Sequence, residues 1–311
     1  MTLRVRYIDF WPGFVPEDFL MTKLLRKIYP KSIIEIVKNK SISVDLEICS
    51  VFTFNSLADK VHARLLGATS EAALRDYVCR TDFGHRPTYR NHARKRIWYT
   101  CENLRPPQEL FDGTISFDKT DPAAKNLYFP FFYNSIDWFP SSDMEAGLVK
   151  PDTLVEKRTI KKDRPLKACS FASNLAPNRE RLINVVGQII PVDAYGKSVG
   201  KFVASKSDVA RRYTFQICNE NSQYPGYVTE KLIEAWNLGN IPIWTGNFES
   251  NLSLNRKSII DLTGMITKEI HELLNDLDQS DIEELQTAPL MTEVPSIEPL
   301  TLFLRSLLES H

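Results

Sequence analysis

The sequence lacks long apolar runs and an excess of charge of either sign. No apolar run approaches the roughly 18 residues that a membrane span requires, and residues 1–9 lack the apolar core of a signal peptide. The 39 Lys and Arg residues balance the 39 Asp and Glu residues, so no overall field attracts nucleic acid or an anionic membrane. We therefore expect a cytoplasmic protein that binds no nucleic acid and makes at most peripheral contact with a membrane.

Cysteine is sparse and is not arranged in pairs. The chain has five cysteines, an odd number, and none of them forms a CxxC pair of the kind that binds zinc. Cys49 and Cys218 lie in apolar strand-like runs, where a free thiol behaves as a small hydrophobic group. This pattern favours a reduced protein over a disulfide framework.

Several nucleotide and metal motifs are absent. The sequence has no Walker A motif, no GxGxxG after a strand, no HExxH and no Asp-x-Asp at the end of a predicted strand. Its histidines are scattered. These absences argue against the P-loop and zinc-hydrolase classes, and they predict a site that holds no metal.

Strand-like and helix-like segments alternate along most of the chain, which predicts parallel, doubly wound sheets. At 311 residues the chain exceeds what one core usually supports. We therefore predict two Rossmann-like α/β domains facing across a cleft, at residues 1–160 and 161–285, followed by a tail helix at 286–311 that packs on the body. Predicted helices lie at 17–29, 57–79, 179–190, 206–213, 228–238 and 300–308. Predicted strands lie at 3–10, 33–37, 46–52, 96–101, 113–117, 127–133, 167–171, 192–195, 214–218, 241–244 and 258–262.

The run Tyr224–Lys231, with the sequence YPGYVTEK, lies between a predicted strand and a predicted helix. A helix N-terminus attracts anions because its first N–H groups lack partners and the helix dipole is positive there. Lys231 adds a full positive charge. The run therefore predicts a site for a phosphate-bearing ligand.

The longer segment 218–247, CNENSQYPGYVTEKLIEAWNLGNIPIWTGN, resembles the signature of the family 10 glycosyltransferases, the α-1,3/4-fucosyltransferases, and above all their bacterial members. Asn219 stands where the family usually has an aromatic residue. The resemblance implies the GT-B fold and an inverting transfer of L-fucose from GDP-β-L-fucose to a hydroxyl, with O3 of GlcNAc or glucose as the expected position. It implies an oligosaccharide or glycolipid acceptor, such as the O-antigen of lipopolysaccharide, and no required cofactor, a divalent metal being at most stimulatory.

The turn before the helix at 179–190 carries a second candidate group, Ser173, Asn174 and Arg179. The resemblance implies that these residues bind the donor and that Arg179 binds its phosphate. A guanidinium grips two phosphate oxygens at once, so Arg179 and Lys231 together match a diphosphate without a metal. Spacing alone favours a solvated position of Arg179 on the helix surface, and it is the resemblance that implies the phosphate-binding role.

Four more residues of the motif are candidate donor ligands. By resemblance, Glu230 contacts the ribose and Tyr227 lines the pocket. Glu220 and Asn221 follow a strand, at the sheet edge where α/β proteins bind ligands. The alternatives are a surface ion pair for Glu230 with Lys231, a core position for Tyr227 and a turn position for Asn221.

Glu102 is the candidate general base, because an inverting displacement needs one group that removes the proton of the acceptor hydroxyl. It lies in the sequence YTCEN after a predicted strand, where bacterial relatives have YTGEN and the glutamate is the proposed base. If the sequence is aligned as in animal relatives, the position of the glutamate instead falls on Leu104. The alternative role is a hydrogen bond within the loop.

Trp11 and Phe14 flank a Pro-Gly turn and correspond to an aromatic segment near the acceptor site of relatives. Their alternative role is a turn with a buried Trp.

The basic stretch 86–96 predicts a solvated surface of the protein, and the alternative is a surface that contacts an anionic acceptor. Two rival functions stay open: a transferase for another nucleotide-sugar, and a non-catalytic protein that binds nucleotides or glycans.

Overall fold

The computed structural model describes residues 1–39, 41–52, 92–106, 110–139, 147–159, 164–172, 177–247 and 253–310. These residues form two compact units. Unit 1 comprises Met1–Pro130 with Ser296–His311, and unit 2 comprises Phe131–Pro295. The helix predicted at 57–79 and residues 86–91 of the basic stretch lie outside the described residues.

Unit 1 contains a six-stranded parallel sheet in the order β2-β1-β3-β4-β5-β6. The amphipathic helix α1, Leu20–Ile28, buries Leu24 and Leu25 in the core of this unit. The strands are β1 Thr2–Ile8, β2 Ile33–Ile36, β3 Val44–Cys49, β4 Ala93–Tyr99, β5 Gly113–Ser116 and β6 Asn126–Tyr128.

A buried ionic network fixes the register of the three central strands of unit 1. Glu47 on β3 is fully buried, and its two carboxylate oxygens accept hydrogen bonds from Arg6 Nε at 2.8 Å and Arg96 Nε at 3.0 Å. The three residues are directly opposite one another on β1, β3 and β4. Because a buried charge without its partner is costly, a shift of any of these strands is disfavoured.

Unit 2 contains a five-stranded parallel sheet in the order β11-β10-β9-β7-β8. Its strands are β7 Ala168–Phe171, β8 Val192–Tyr195, β9 Phe215–Asn219, β10 Ile241–Thr245 and β11 Ile260–Asp261. Its helices are α2 Pro177–Gly187, α3 Lys206–Ala210, α4 Lys231–Asn237, α5 Thr267–Asp276 and α6 Gln279–Thr287. The strand order reverses between β7 and β9, which creates a topological switch point, the place where such sheets bind ligands.

Both sheets confirm the predicted alternation, but the compact units divide the chain earlier than position 160. Residues 131–159 join unit 2, because Arg158 N donates to Thr287 O at 2.9 Å and Met291 N donates to Leu154 O at 2.9 Å. The strand predicted at 127–133 ends at Tyr128, and a 3₁₀ helix, Phe131–Ser135, follows it.

The last helix, α7, spans Glu298–Glu309, as the apolar spacing at 300–308 predicted. It belongs to unit 1, where the Arg94 guanidinium donates to the Leu308 carbonyl. In the described parts of the chain, no helix is both long enough and apolar enough to cross a membrane.

Gly196, which follows β8, occupies a backbone position that other residues cannot adopt without strain. Its φ is +125°, and a Cβ atom there would lie 2.1 Å from the Ala172 carbonyl oxygen. We expect Gly196→Ala to lower the stability of unit 2 by about 1–3 kcal/mol. The matched control is Gly200→Ala, where φ is +67° but no atom lies within 4 Å. Denaturant midpoints test this, and equal losses in the two variants would contradict the steric explanation.

Candidate active site

The loop after β9 is held in place by the carboxylate of Glu220. This side chain is 4% exposed. Its Oε1 accepts a hydrogen bond from Thr229 N at 2.9 Å, and its Oε2 accepts from Thr229 Oγ1 at 2.8 Å and from Lys231 Nζ at 3.1 Å. Gly226, with φ of +82°, allows the turn that folds the loop back. Glu220 therefore holds Lys231 in position, and both of its carboxylate oxygens accept hydrogen bonds from within the protein.

Lys231 is the cation that this arrangement presents. Its side chain is 24% exposed, and Nζ also donates to Thr229 Oγ1 at 2.7 Å and lies 3.8 Å from Glu230 Oε1. Burial alone lowers the pKa of Lys231, but the Glu220 and Glu230 carboxylates together outweigh burial and raise that pKa above its usual value. Lys231 is therefore positively charged at neutral pH.

The helix predicted at 228–238 begins later than expected. Helix α4 begins at Lys231 rather than at 228 and has seven residues, and no side chain caps it. Residues 228–230 instead continue the loop that is tied to Glu220. Lys231, the first residue of α4, places a full positive charge at the start of this helix.

Arg179, the third residue of α2, lies at the same switch point. Its Nη2 donates to Asn221 Oδ1 at 2.8 Å, which joins α2 to the loop after β9. Burial lowers the pKa of Arg179, and the nearby Glu220 carboxylate opposes that effect. The structure thus brings together Arg179, Asn221, Glu220 and Lys231, and we call Arg179 and Lys231 the cation pair.

The remaining predicted donor ligands are less directly placed. Glu230 is adjacent to the cation pair, with a side chain that is 32% exposed. Tyr227 is 1% exposed, which fits the core position weighed as its alternative. Ser173 and Asn174 lie outside the described residues.

Two residues that the sequence did not single out lie in the segments that follow β8 and β9. Thr229 connects Glu220 to Lys231 through its hydroxyl, and its place inside the motif was the available signal. Phe202 is 77% exposed in the segment that follows β8. An exposed aromatic ring is a surface on which a nucleobase can stack.

Glu102 is partly exposed in the loop that follows β4. Its backbone is fixed on both sides, because Glu102 N donates to Thr100 Oγ1 at 3.0 Å and Thr100 Oγ1 donates to Glu102 O at 2.9 Å. Leu104, the alternative register, is apolar and 4% exposed. In the described part of this loop, Glu102 is the residue whose side chain can act as a base.

Trp11 and Phe14 belong to an aromatic cluster at the carboxyl edge of the same sheet. Phe10 stacks on Phe14 at 4.1 Å between ring centroids and on Tyr99, the last residue of β4, at 6.0 Å. Trp11 packs edge-on against Phe14 at 5.0 Å. Both Trp11 and Phe14 are half-buried, so each keeps a ring surface accessible near the Glu102 loop.

Open α/β sheets bind ligands at the carboxyl ends of their strands, at a topological switch point, and the cation pair lies at this position in unit 2. Residues 161–286 match the model of the glycosyltransferase family 10 (fucosyltransferase) C-terminal domain. The matched segment contains the motif at 218–247, so the family predicted from that motif is confirmed for residues 161–286.

Relatives of known sequence agree with this assignment. Alpha-(1,3)-fucosyltransferase FucT of Helicobacter pylori is 32% identical over 194 residues, which are 54% of this chain and 41% of that protein. A putative fucosyltransferase of Acanthamoeba polyphaga mimivirus is 28% identical over 166 residues, which are 48% of this chain and 26% of that protein. The chain spans less than half the length of these curated relatives.

Solved structures agree on the fold. An alpha1,3-fucosyltransferase crystal structure matches with a TM-score of 0.67 and 20% identity, covering 99% of this chain and 90% of that one. A structure of alpha1,3-fucosyltransferase with GDP-fucose matches with a TM-score of 0.66 and 19% identity, covering 99% of this chain and 91% of that one. The predicted fold class, two Rossmann-like α/β units of GT-B type, is confirmed.

Proposed function

We propose that this protein is an inverting α-1,3-fucosyltransferase that moves L-fucose from GDP-β-L-fucose to a hydroxyl of a glycan. The observation that carries the proposal is the cation pair of Arg179 and Lys231 at the switch point of unit 2, inside the segment that matches the fucosyltransferase model. The chain's similarity to fucosyltransferases supports both the donor and the reaction.

The donor diphosphate lies against the cation pair. As the bond between fucose C1 and the diphosphate oxygen breaks, negative charge grows on the leaving GDP, and the two fixed cations stabilise that charge. The Glu220 contacts hold Lys231 before the donor arrives, so little reorganisation is needed. Glu230 accepts hydrogen bonds from the ribose hydroxyls, while Asn221, Ser173 and Asn174 complete the predicted donor site.

The acceptor hydroxyl attacks C1 from the side opposite the diphosphate, which inverts the anomeric carbon. Glu102 takes the hydroxyl proton as the new C–O bond forms. Trp11 and Phe14 hold the acceptor sugar through their ring surfaces. We expect O3 of GlcNAc or glucose in an oligosaccharide or glycolipid, such as lipopolysaccharide O-antigen, to be the position that reacts.

No cofactor is part of this mechanism, because two side-chain cations supply the charge that a metal supplies in other transferases. The test is GDP release from GDP-fucose by the purified protein, with and without N-acetyllactosamine and with EDTA. We expect release that the acceptor stimulates and that EDTA leaves intact. Loss of turnover with EDTA would refute the metal-free mechanism.

A transferase for another nucleotide-sugar is the second candidate, since the cation pair recognises the diphosphate and not the sugar. Melting temperatures in the presence of several sugar nucleotides separate the two. At equal concentrations GDP-fucose should give the largest rise, because a ligand that binds only the folded state stabilises it more the lower its Kd. A larger rise in melting temperature with a different sugar nucleotide would identify that compound as the donor. If GDP gives no shift, the nucleotide of the donor is not guanine-based.

A further inference from the structure

A cavity of about 230 Å³ lies at the edge of the unit 2 sheet where the strands begin. Arg211 lines it shortly before β9, and Gly239 lines it shortly before β10. The cation pair follows the other ends of the strands, since Arg179 comes after β7 and Lys231 after β9. Because the strands of this sheet are parallel, the cavity and the cation pair lie at opposite edges. We call this space the amino-edge cavity.

The amino-edge cavity carries an excess of positive charge. Among the described residues that line it, three are cations, Lys157, Arg158 and Arg211, and one is a carboxylate, Glu156. Glu156 is exposed, so its side chain need not face a bound ligand. Threonine and amide side chains complete the polar part of the lining. A small anion therefore fits this space better than a cation or an apolar ligand.

Arg158 is the most buried of the three cations, and its partners are neutral. Its Nη1 donates to the Trp236 carbonyl and, at 3.2 Å, to the Asn240 carbonyl, and its Nη2 donates to the Leu285 carbonyl at 3.3 Å. Its guanidinium lies 4.7 Å from the centroid of the Trp236 ring. Its Nε is buried without a hydrogen-bond partner. Three of the five N–H donors of a guanidinium are thus used, which leaves two, on Nε and Nη2, for an anion.

Arg164 lies nearby and also has no anionic partner. Its Nη1 donates to the Tyr213 carbonyl at 3.2 Å and its Nη2 to the Leu238 carbonyl at 2.8 Å, while its Nε is buried without a partner. Burial and the charge of Arg164 lower the pKa of Arg158 to about 9, and burial and the charge of Arg211 lower the pKa of Arg164. Arg158 is still charged at neutral pH, so these arginines repel one another.

A structural role accounts for only part of this arrangement. Arg158 and Arg164 donate to carbonyls at the end of α4 and just after it, and such carbonyls lack partners within the helix. Carbonyl groups carry partial charges, however, and a buried full charge is costly without an opposite one. Lys157 and Arg211 add two more charges at a place where capping the helix requires none.

We propose that the amino-edge cavity binds a phosphoryl group, either as inorganic phosphate or as part of a small phosphate ester. Arg158 and Arg211 donate to the phosphoryl oxygens, and Lys157 adds a third cation. A phosphate dianion matches several cations better than a carboxylate, which carries one charge. The site is separate from the donor site and does not depend on the proposed function.

Titration calorimetry of the full chain tests this site, with saturating GDP present because phosphate also binds the cation pair. The probes are inorganic phosphate and glucose 6-phosphate, and sodium chloride at equal ionic strength is the control for charge screening. We expect one equivalent of phosphate to bind and chloride to give no saturable heat. A lower Kd for glucose 6-phosphate would identify an ester as the ligand, and a lower Kd for phosphate would identify the free ion.

Two adjacent arginines provide a matched pair of variants. Arg211 and Arg212 are both exposed, and of the two only Arg211 lines the cavity. Both substitutions replace exposed side chains, so both variants should fold. Arg211→Ala should raise the Kd for phosphate about tenfold, since it removes a charge-assisted hydrogen bond, and Arg212→Ala should change it less than about twofold. Lys157→Ala, on a different segment, should also raise this Kd.

The inference would be overturned if the wild type bound no phosphate in the presence of GDP. Equal losses in the Arg211 and Arg212 variants would also overturn it, because they would show general attraction of an anion without a site. A protein that binds no GDP would refute the proposed function, and the phosphate titration of the variant Lys231→Met would then test the amino-edge cavity by itself.

Discussion

Replacing Glu102 by Gln should reduce the kcat of fucose transfer by about 10²–10⁴-fold, the usual contribution of a general base. The amide is close in size to the carboxylate but cannot take the acceptor proton. The Thr100 hydroxyl holds the backbone of residue 102 on both sides, so the substituted side chain keeps its position. The Kd for GDP should change less than about twofold, because the predicted donor ligands lie in unit 2.

The matched control for this variant is Glu35→Gln. Glu35 also lies in unit 1, where its carboxylate forms a surface ion pair with Arg4 at 3.2 Å, and surface pairs contribute little to stability. Its turnover should equal that of the wild type. Full activity in the Glu102 variant would assign the base to another carboxylate, and a wild type that binds GDP without turnover would favour the non-catalytic alternative.

The strands were well predicted because buried parallel strands are short apolar runs between turn residues. Every predicted strand that falls on described residues is present in the two sheets, and β8 has its predicted bounds, Val192–Tyr195. The ends of elements were less predictable. Helix α4 begins at Lys231, three residues after its predicted start, because the expected first turn is hydrogen-bonded to Glu220. No local sequence pattern encodes that contact.

The division of the chain was less predictable for a similar reason. The prolines and mixed charges near 160 indicated a linker, but residues 131–159 belong to unit 2 through hydrogen bonds with residues 287 and 291. Such pairings join segments far apart in sequence. Likewise, Arg6, Glu47 and Arg96 are three charged residues in strands, and nothing in their local sequence shows that both arginines pair with the glutamate in the core.

For the candidate site, the sequence predicted which charges meet but not how they are held. Arg179 and Lys231 were expected from the motif and the turn before α2, and both lie at the switch point. Glu220 was expected to bind the donor, whereas its carboxylate oxygens hold Thr229 and Lys231. A motif states residue types and spacing, and the direction of each side chain depends on the folded loop.

Replacing Lys231 by Met should reduce kcat/KM for GDP-fucose by about 10²–10³-fold, because it removes a fixed charge from the leaving diphosphate. Met preserves the length of the apolar stem. The change also leaves the buried Glu220 carboxylate without its cation, so the melting temperature should fall as well. Loss of activity in this variant alone therefore has two explanations, one catalytic and one structural.

The double variant Glu220→Gln with Lys231→Met separates these explanations. It removes both charges of the buried pair, so the melting temperature should recover toward the wild-type value while kcat/KM stays low. Lys257→Met is the matched control, since Lys257 pairs with Glu284 on the surface at 3.0 Å, and it should change neither quantity. If the double variant regained turnover, the role of Lys231 would be to neutralise Glu220, and the stabilisation of the leaving group would have to come from Arg179 and other groups.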